Sequence, residues 1–75
     1  MSHPIKEVEI RSEPVDLYKI LKFEGLVSSG GEAKMVIDDG AVLVNGVVET
    51  RKRKKIVAGD TIEFNSEQLK IVLAS

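Results

Sequence analysis

Cysteine is absent from this 75-residue chain, which removes disulfides and thiolate metal sites from consideration. The one histidine, His3, stands in an amino-terminal stretch expected to fray. It reads as a solvated tail residue and builds no metal site alone. Tryptophan is missing, and one tyrosine with two phenylalanines make up the whole aromatic complement. The core of so short a chain is therefore expected to be small and aliphatic. No apolar run approaches the roughly 18 residues of a membrane span. The opening MSHPIKEVEI lacks the basic-then-apolar layout of a secretory signal, so a cytoplasmic protein is the expectation. Neither a Gly-x-Ser-x-Gly elbow nor a phosphate loop ending in Gly-Lys-Ser/Thr occurs. Asp38 and Asp39 stand at a helix end rather than as a pair placed for proton transfer. Catalysis, cofactor binding and a small-molecule substrate are not expected.

The length allows one domain, residues 1–75, and 43% apolar content is ordinary for a folded one. A net charge of −1 conceals an asymmetry. Five of the eleven Lys and Arg residues lie in Arg51–Lys55, RKRKK, with no acid among them, leaving six basic against twelve acidic residues elsewhere. A positive spot on an acidic body attracts polyanions at one place and discourages unspecific adhesion elsewhere.

The middle of the chain, Asp16 to Gly46, has the strongest local signals. Val8 and Ile10 alternate with Glu7, Glu9 and Arg11 in a half-exposed strand over residues 5–11, expected at a sheet edge. Glu13-Pro14 ends it. Leu17, Ile20 and Leu21 then recur at helical spacing, predicting a helix from about Val15 to Glu24 with Gly25 as its stop and Leu26-Val27 packing back on the core. Tyr18 falls at the margin of that stripe, and Lys19 and Lys22 on the other side. Ser29 and Glu32 have the spacing of a capping box. Ala33, Val36 and Ile37 mark a second helix from about Gly30 to Asp39, closed by Gly40. Val42 and Val44 lead into Asn45-Gly46, the pair best suited to a two-residue hairpin turn. Ala58-Gly59-Asp60 is a further turn, and two alternating strands, Thr61–Phe64 and one holding Leu69, Ile71 and Leu73, form a hairpin through Asn65-Ser66-Glu67. The expectation is an α+β domain in the order β-α-α-β-β-β-β: two short helices on a small, twisted, mainly antiparallel sheet.

The basic run is the main functional signal. Long cationic side chains fanning from a fixed connection suit phosphate, and the guanidinium groups of Arg51 and Arg53 can bind its oxygens in two-pronged fashion; Lys52, Lys54 and Lys55 complete the set. Gly30 and Gly31 leave the start of the second helix unshielded, where a phosphate can approach or where glycine simply relieves a crowded loop. Phe23, off the apolar stripe, either stacks on an unpaired base or covers the neck between the first helix and the first strand.

Leu17, Lys19, Leu21, Gly25-Leu26, Ser29, Glu32-Ala33-Lys34, Ile37, Gly40, Val42, Val44-Asn45-Gly46 and Gly59-Asp60 together resemble the RNA-binding domain named after ribosomal small-subunit protein four, with its alpha-L motif. The resemblance spans about residues 15–64. Glu49-Thr50-Arg51-Lys52-Arg53 before Lys55-Ile56-Val57-Ala58-Gly59 is similar to the stand-alone bacterial YbcJ-like branch. The resemblance implies recognition of structured RNA, ribosomal RNA included, with the helices and the following loop facing the backbone. It also implies that Lys19 and Lys34 occupy positions usually basic in the family. Asp16, Gly30, Asp38 and Asp39 depart from the family, which commonly has basic or polar residues there, and the basic run is expected to substitute for them.

The expected function is thus a non-catalytic, monomeric RNA-binding module using Lys19, Lys34, Gly30, Gly31 and Arg51–Lys55, with recognition by shape and backbone. The alternative is a protein-interaction module docking an acidic partner or ribosomal component through the same basic surface. A sulfur-carrier or ubiquitin-like domain needs a terminal Gly-Gly, whereas this sequence closes Leu73-Ala74-Ser75. The RNA reading requires the basic side chains to share one side without being neutralised by their own domain.

Overall fold

The computed structural model describes residues 5–74, and His3 lies outside them. Strand β1, Ile5–Ile10, buries Val8 and Ile10 and exposes the residues between, as its alternation requires. Beyond Pro14 the chain does not enter a helix at once. Val15–Asp16 is a short strand, β2, and helix α1 covers Leu17–Phe23. The start is two residues later than the apolar spacing predicts. Val15 and Asp16 pair instead with a segment near residue 55, and extended geometry after the Glu13-Pro14 step suits that pairing.

Helix α2, Gly30–Asp38, opens on Ser29, whose hydroxyl accepts the Glu32 N–H at 3.1 Å. Glu32 returns its carboxylate to the N–H and hydroxyl of Ser28, one residue earlier than a standard capping box. Both helices end alike. Leu26 N–H donates to the Leu21 carbonyl and Gly25 N–H to that of Lys22; Ala41 and Gly40 repeat the pattern on Val36 and Ile37. This closure needs a left-handed residue after the cap, and Gly25 (φ +71°) and Gly40 (φ +79°) supply it.

The rest of the chain is extended: β3 (Val42–Val44), β4 (Val47–Val48), β5 (Lys55–Ile56), β6 (Thr61–Phe64) and β7 (Glu67–Leu73). Five strands form one sheet in the order β1-β7-β6-β3-β4, and β2 pairs with β5 in a second, two-stranded one. The large sheet is antiparallel except where β1 lies parallel to β7 at its edge. The Asn45-Gly46 and Asn65-Ser66 turns have positive φ at both central residues, matching the strand twist, and Glu67 already belongs to β7. The predicted α+β class and the edge position of β1 hold; β2 and β5 are additional.

Registers Val8↔Ile71, Ile62↔Leu69 and Val44↔Ile62 align the inward residues of four strands into one apolar face. Leu17, Ile20 and Leu21 of α1, Ala33 and Ile37 of α2, and Ile56 of β5 join the same cluster. It holds only Val, Ile, Leu and Ala, with Tyr18 and Phe64 packed at its margin. Each fully buried aliphatic side chain contributes about 1.5–3 kcal/mol, and among the described residues no buried side-chain polar atom lacks a partner. The result is a stiff base under both helices.

Candidate nucleic-acid interface

The basic run occupies a tight turn between β4 and β5, closed by the Lys54 N–H on the Arg51 carbonyl at 3.2 Å. Lys52 and Arg53 therefore stand at its two corners, both exposed. The turn is fastened to α1 through main-chain atoms. Leu17 N–H donates to the Lys54 carbonyl at 3.0 Å and Tyr18 N–H to the Lys52 carbonyl at 3.1 Å. A helix start leaves several N–H groups without partners, and here the turn supplies partners for two of them. The N-cap residue Asp16 makes no side-chain cap bond.

Its carboxylate is used otherwise. Asp16 and Lys55 are opposite partners in the β2–β5 pair, and Lys55 Nζ lies 2.6 Å from Asp16 Oδ1. The hydrogen bond from Lys55 lowers the Asp16 pKa, against a smaller desolvation effect, and the charges of Lys55, Lys19 and Arg53 reinforce it. At the other end of the turn, Arg51 Nε and Nη2 reach the two oxygens of Glu49 at 2.9 and 3.1 Å, and the Arg51 N–H donates to the same carboxylate. These bonds hold the Glu49 carboxyl at about 2, far below its usual range, and raise the pKa of Arg51.

The five cations of the run are thus divided. Arg51 and Lys55 are held by Glu49 and Asp16, whereas Lys52, Arg53 and Lys54 have no ion-pair partner among the described residues. The three share one turn rather than scattering. Lys19 lies exposed on α1, one turn from Asp16. Lys34 reaches from α2 to α1, its Nζ 4.8 Å from the centre of the Tyr18 ring, a cation–π contact between the helices. Tyr18 therefore meets the basic turn through its N–H and Lys34 through its ring. Its marginal position in the helical stripe is the one trace of this in the sequence.

Gly30 and Gly31 lie beside this group without being forced on it. A Cβ on Gly30 would sit 4.0 Å from the Tyr18 ring, and one on Gly31 would sit 3.8 Å from Ser29 Oγ. The Glu32 carboxylate already occupies the start of α2. Phe23 borders the neck between α1 and β1 without covering it: 71% of it is exposed, at the lip of a cleft of about 310 Å³ lined by Val8, Ile10, Val15 and Ile20. The apolar stripe of α1 is complete without Phe23, so nothing draws the ring inward. No described helix is long and apolar enough to cross a membrane.

Residues 8–72 match the S4 domain family. The chain is 50% identical over 58 residues to the "Putative RNA-binding protein YbcJ" of Escherichia coli, covering 77% of this chain and 83% of that one. It is 35% identical over 64 residues to the "Probable ribosome maturation protein RlbA" of Bacillus subtilis, covering 85% and 86%. The solution structure of E. coli YbcJ, described as revealing an alfaL motif involved in RNA binding, superposes with a TM-score of 0.65 at 40% identity over 96% of both chains. The match over residues 8–72 and these relatives show that the chain belongs to the S4 domain family.

Proposed function

We propose that this chain is a non-catalytic module that binds structured RNA by its phosphate backbone. Lys52, Arg53 and Lys54 grip phosphates from the turn, and Lys19 and Lys34 extend the contact over the helices. Arg51 and Lys55 act chiefly as internal anchors. The observation that carries this reading is the pair of bonds from the Leu17 and Tyr18 N–H groups to the Lys54 and Lys52 carbonyls. They tie down the backbone that carries three unpaired cations without using a side chain. The names of the relatives support the same ligand, one through RNA binding and one through ribosome maturation. With few exposed aromatics, shape and charge outweigh base stacking, as suits an A-form helix whose major-groove edges are out of reach.

Five cations meeting phosphate correspond to a slope of log K against log salt near −3.5 to −4.5, each contact contributing about −0.7 to −0.9. Fluorescence anisotropy with a labelled RNA stem-loop, repeated across salt concentrations, measures it. The triple variant K52Q/R53Q/K54Q keeps the main-chain bonds and should fold normally, while its slope becomes shallower by about 2 to 3. Unchanged affinity and slope in the folded triple variant would refute this placement of the site.

A further inference from the structure

We propose that Asp16 is a built-in anion seated where an RNA phosphate would otherwise bind, and that it holds the affinity of the basic surface below what its cations allow. This rests on the RNA-binding reading above. The Asp16 backbone has the extended geometry of an N-cap (φ −67°, ψ 137°), the position at which aspartate normally accepts a helical N–H. It accepts none; the Lys54 and Lys52 carbonyls take the Leu17 and Tyr18 N–H groups instead. Its carboxylate faces Lys55 at 2.6 Å, with Lys19 and Arg53 in electrostatic range. Lys55 thus touches this anion directly, and the charges of Lys19 on α1 and Arg53 in the turn act on it as well. A phosphate approaching them from solution makes the same charge-assisted contacts and competes with it.

An internal anion has two opposed effects. It gathers cations that would repel one another, and it satisfies them in advance. Gathering matters little here, since the β2–β5 pairing and two main-chain bonds to α1 already set the shape of the turn. Competition is the larger effect. Asp16→Asn keeps the size and a hydrogen-bonding oxygen while removing the charge, which frees Lys55 for phosphate.

The test measures D16N against the unmodified chain with the labelled stem-loop, folding being checked by circular dichroism. D16N should bind about three- to tenfold more tightly near physiological salt, with a slope steeper by about 0.7 to 0.9, one added phosphate contact. Adding K55Q to D16N should remove most of the gain. E67Q makes the same charge change in an exposed residue beside the Asn65-Ser66 turn, on a strand paired with β1 and β6 rather than with β2, β4 or β5, and should alter affinity little. Equal or weaker binding by folded D16N, or an equal gain from E67Q, overturns the proposal. Should asparagine at this position unfold the chain, D16S carries the same expectation. If K52Q/R53Q/K54Q weakens binding while D16N does not tighten it, only the role of Asp16 falls. If the triple variant binds unchanged, the RNA-binding reading falls and takes this one with it.

Discussion

Replacing Asn45 tests how two separated pieces of sequence act as one structural unit. Asn45 opens the β3–β4 turn at φ +53°, and its side chain spans to the segment before β6. Its Nδ2 donates to Asp60 Oδ1 at 3.0 Å, and its Oδ1 accepts the Thr61 N–H at 2.9 Å. Asp60 in turn accepts the Val57 N–H on Oδ2 and the Ile71 N–H on its carbonyl, so one residue ties two turns and β7 together. Asn45→Ala places an ordinary Cβ residue in left-handed geometry, at about 1–2 kcal/mol. It also removes two hydrogen bonds worth about 0.5–1.5 kcal/mol each, nearer the lower figure because both are exposed. The expected loss is about 2–4 kcal/mol. Asn45→Gly forfeits the same bonds but relieves the backbone strain, so it should lose about 1–2 kcal/mol. Urea unfolding followed by circular dichroism gives both values, and each kcal/mol should move the melting temperature by about 4–8 °C in a domain of this size. A loss below about 1 kcal/mol for N45A, or an equal loss for N45G, would show that the side-chain span and the backbone strain do not combine as described. RNA affinity of the folded fraction should not change, since Asn45 belongs to neither the basic turn nor the exposed helix residues.

Two other perturbations probe the interface. The Glu49 pKa lies below its unfolded value, so its contribution to stability is complete above about pH 4.5 and disappears as the pH falls through about 2; E49Q should flatten the urea midpoint over that window, by no more than about 1 kcal/mol because Arg51 is open to solvent, and a wild-type profile already flat there would contradict the pairing. The Tyr18–Lys34 contact should give a coupling of about 0.5–1 kcal/mol in a double-mutant cycle of Y18L and K34M, with Y18F close to wild type; zero coupling would mean the ring does not position Lys34.

Much of this molecule is legible before folding because its signals are local. Ser29 with Glu32, Gly25 and Gly40, and Asn45-Gly46 each act within a few residues, and each stands where its spacing predicts. The apolar periods identify the core for the same reason, since Leu17, Ile20, Leu21, Ala33 and Ile37 need no distant partner to be recognised as one face. What the sequence hides is long-range. Asp16 meets Lys55 across 39 residues, and that single pairing turns part of a predicted helix into β2 and withdraws one cation from the run. The parallel docking of β1 on β7 joins the two ends of the chain and leaves no periodic mark. Arg51 is an intermediate case. Glu49 is only two residues away, an available hint, but whether an acid so close clamps a guanidinium or points elsewhere depends on backbone direction at the turn.

The division within the basic run has a physical logic. Five adjacent cations repel one another, and a flexible loop would spread them apart. Here the main chain of the turn completes the open end of α1, a helix of seven residues with no acid in its first turn and no side-chain cap. The helix therefore needs the turn to satisfy its N–H groups, and the turn needs the helix to hold its shape. Glu49 and Asp16 neutralise the outermost members of the run, which lowers the repulsion that remains among Lys52, Arg53 and Lys54. The surviving charges are presented by a backbone already ordered in the folded state, so ligand binding need not fix the loop at the moment of contact. Changes to the cationic side chains should then register mainly in affinity and salt dependence. Changes that disturb the Lys52 and Lys54 carbonyls should register first in the stability of α1.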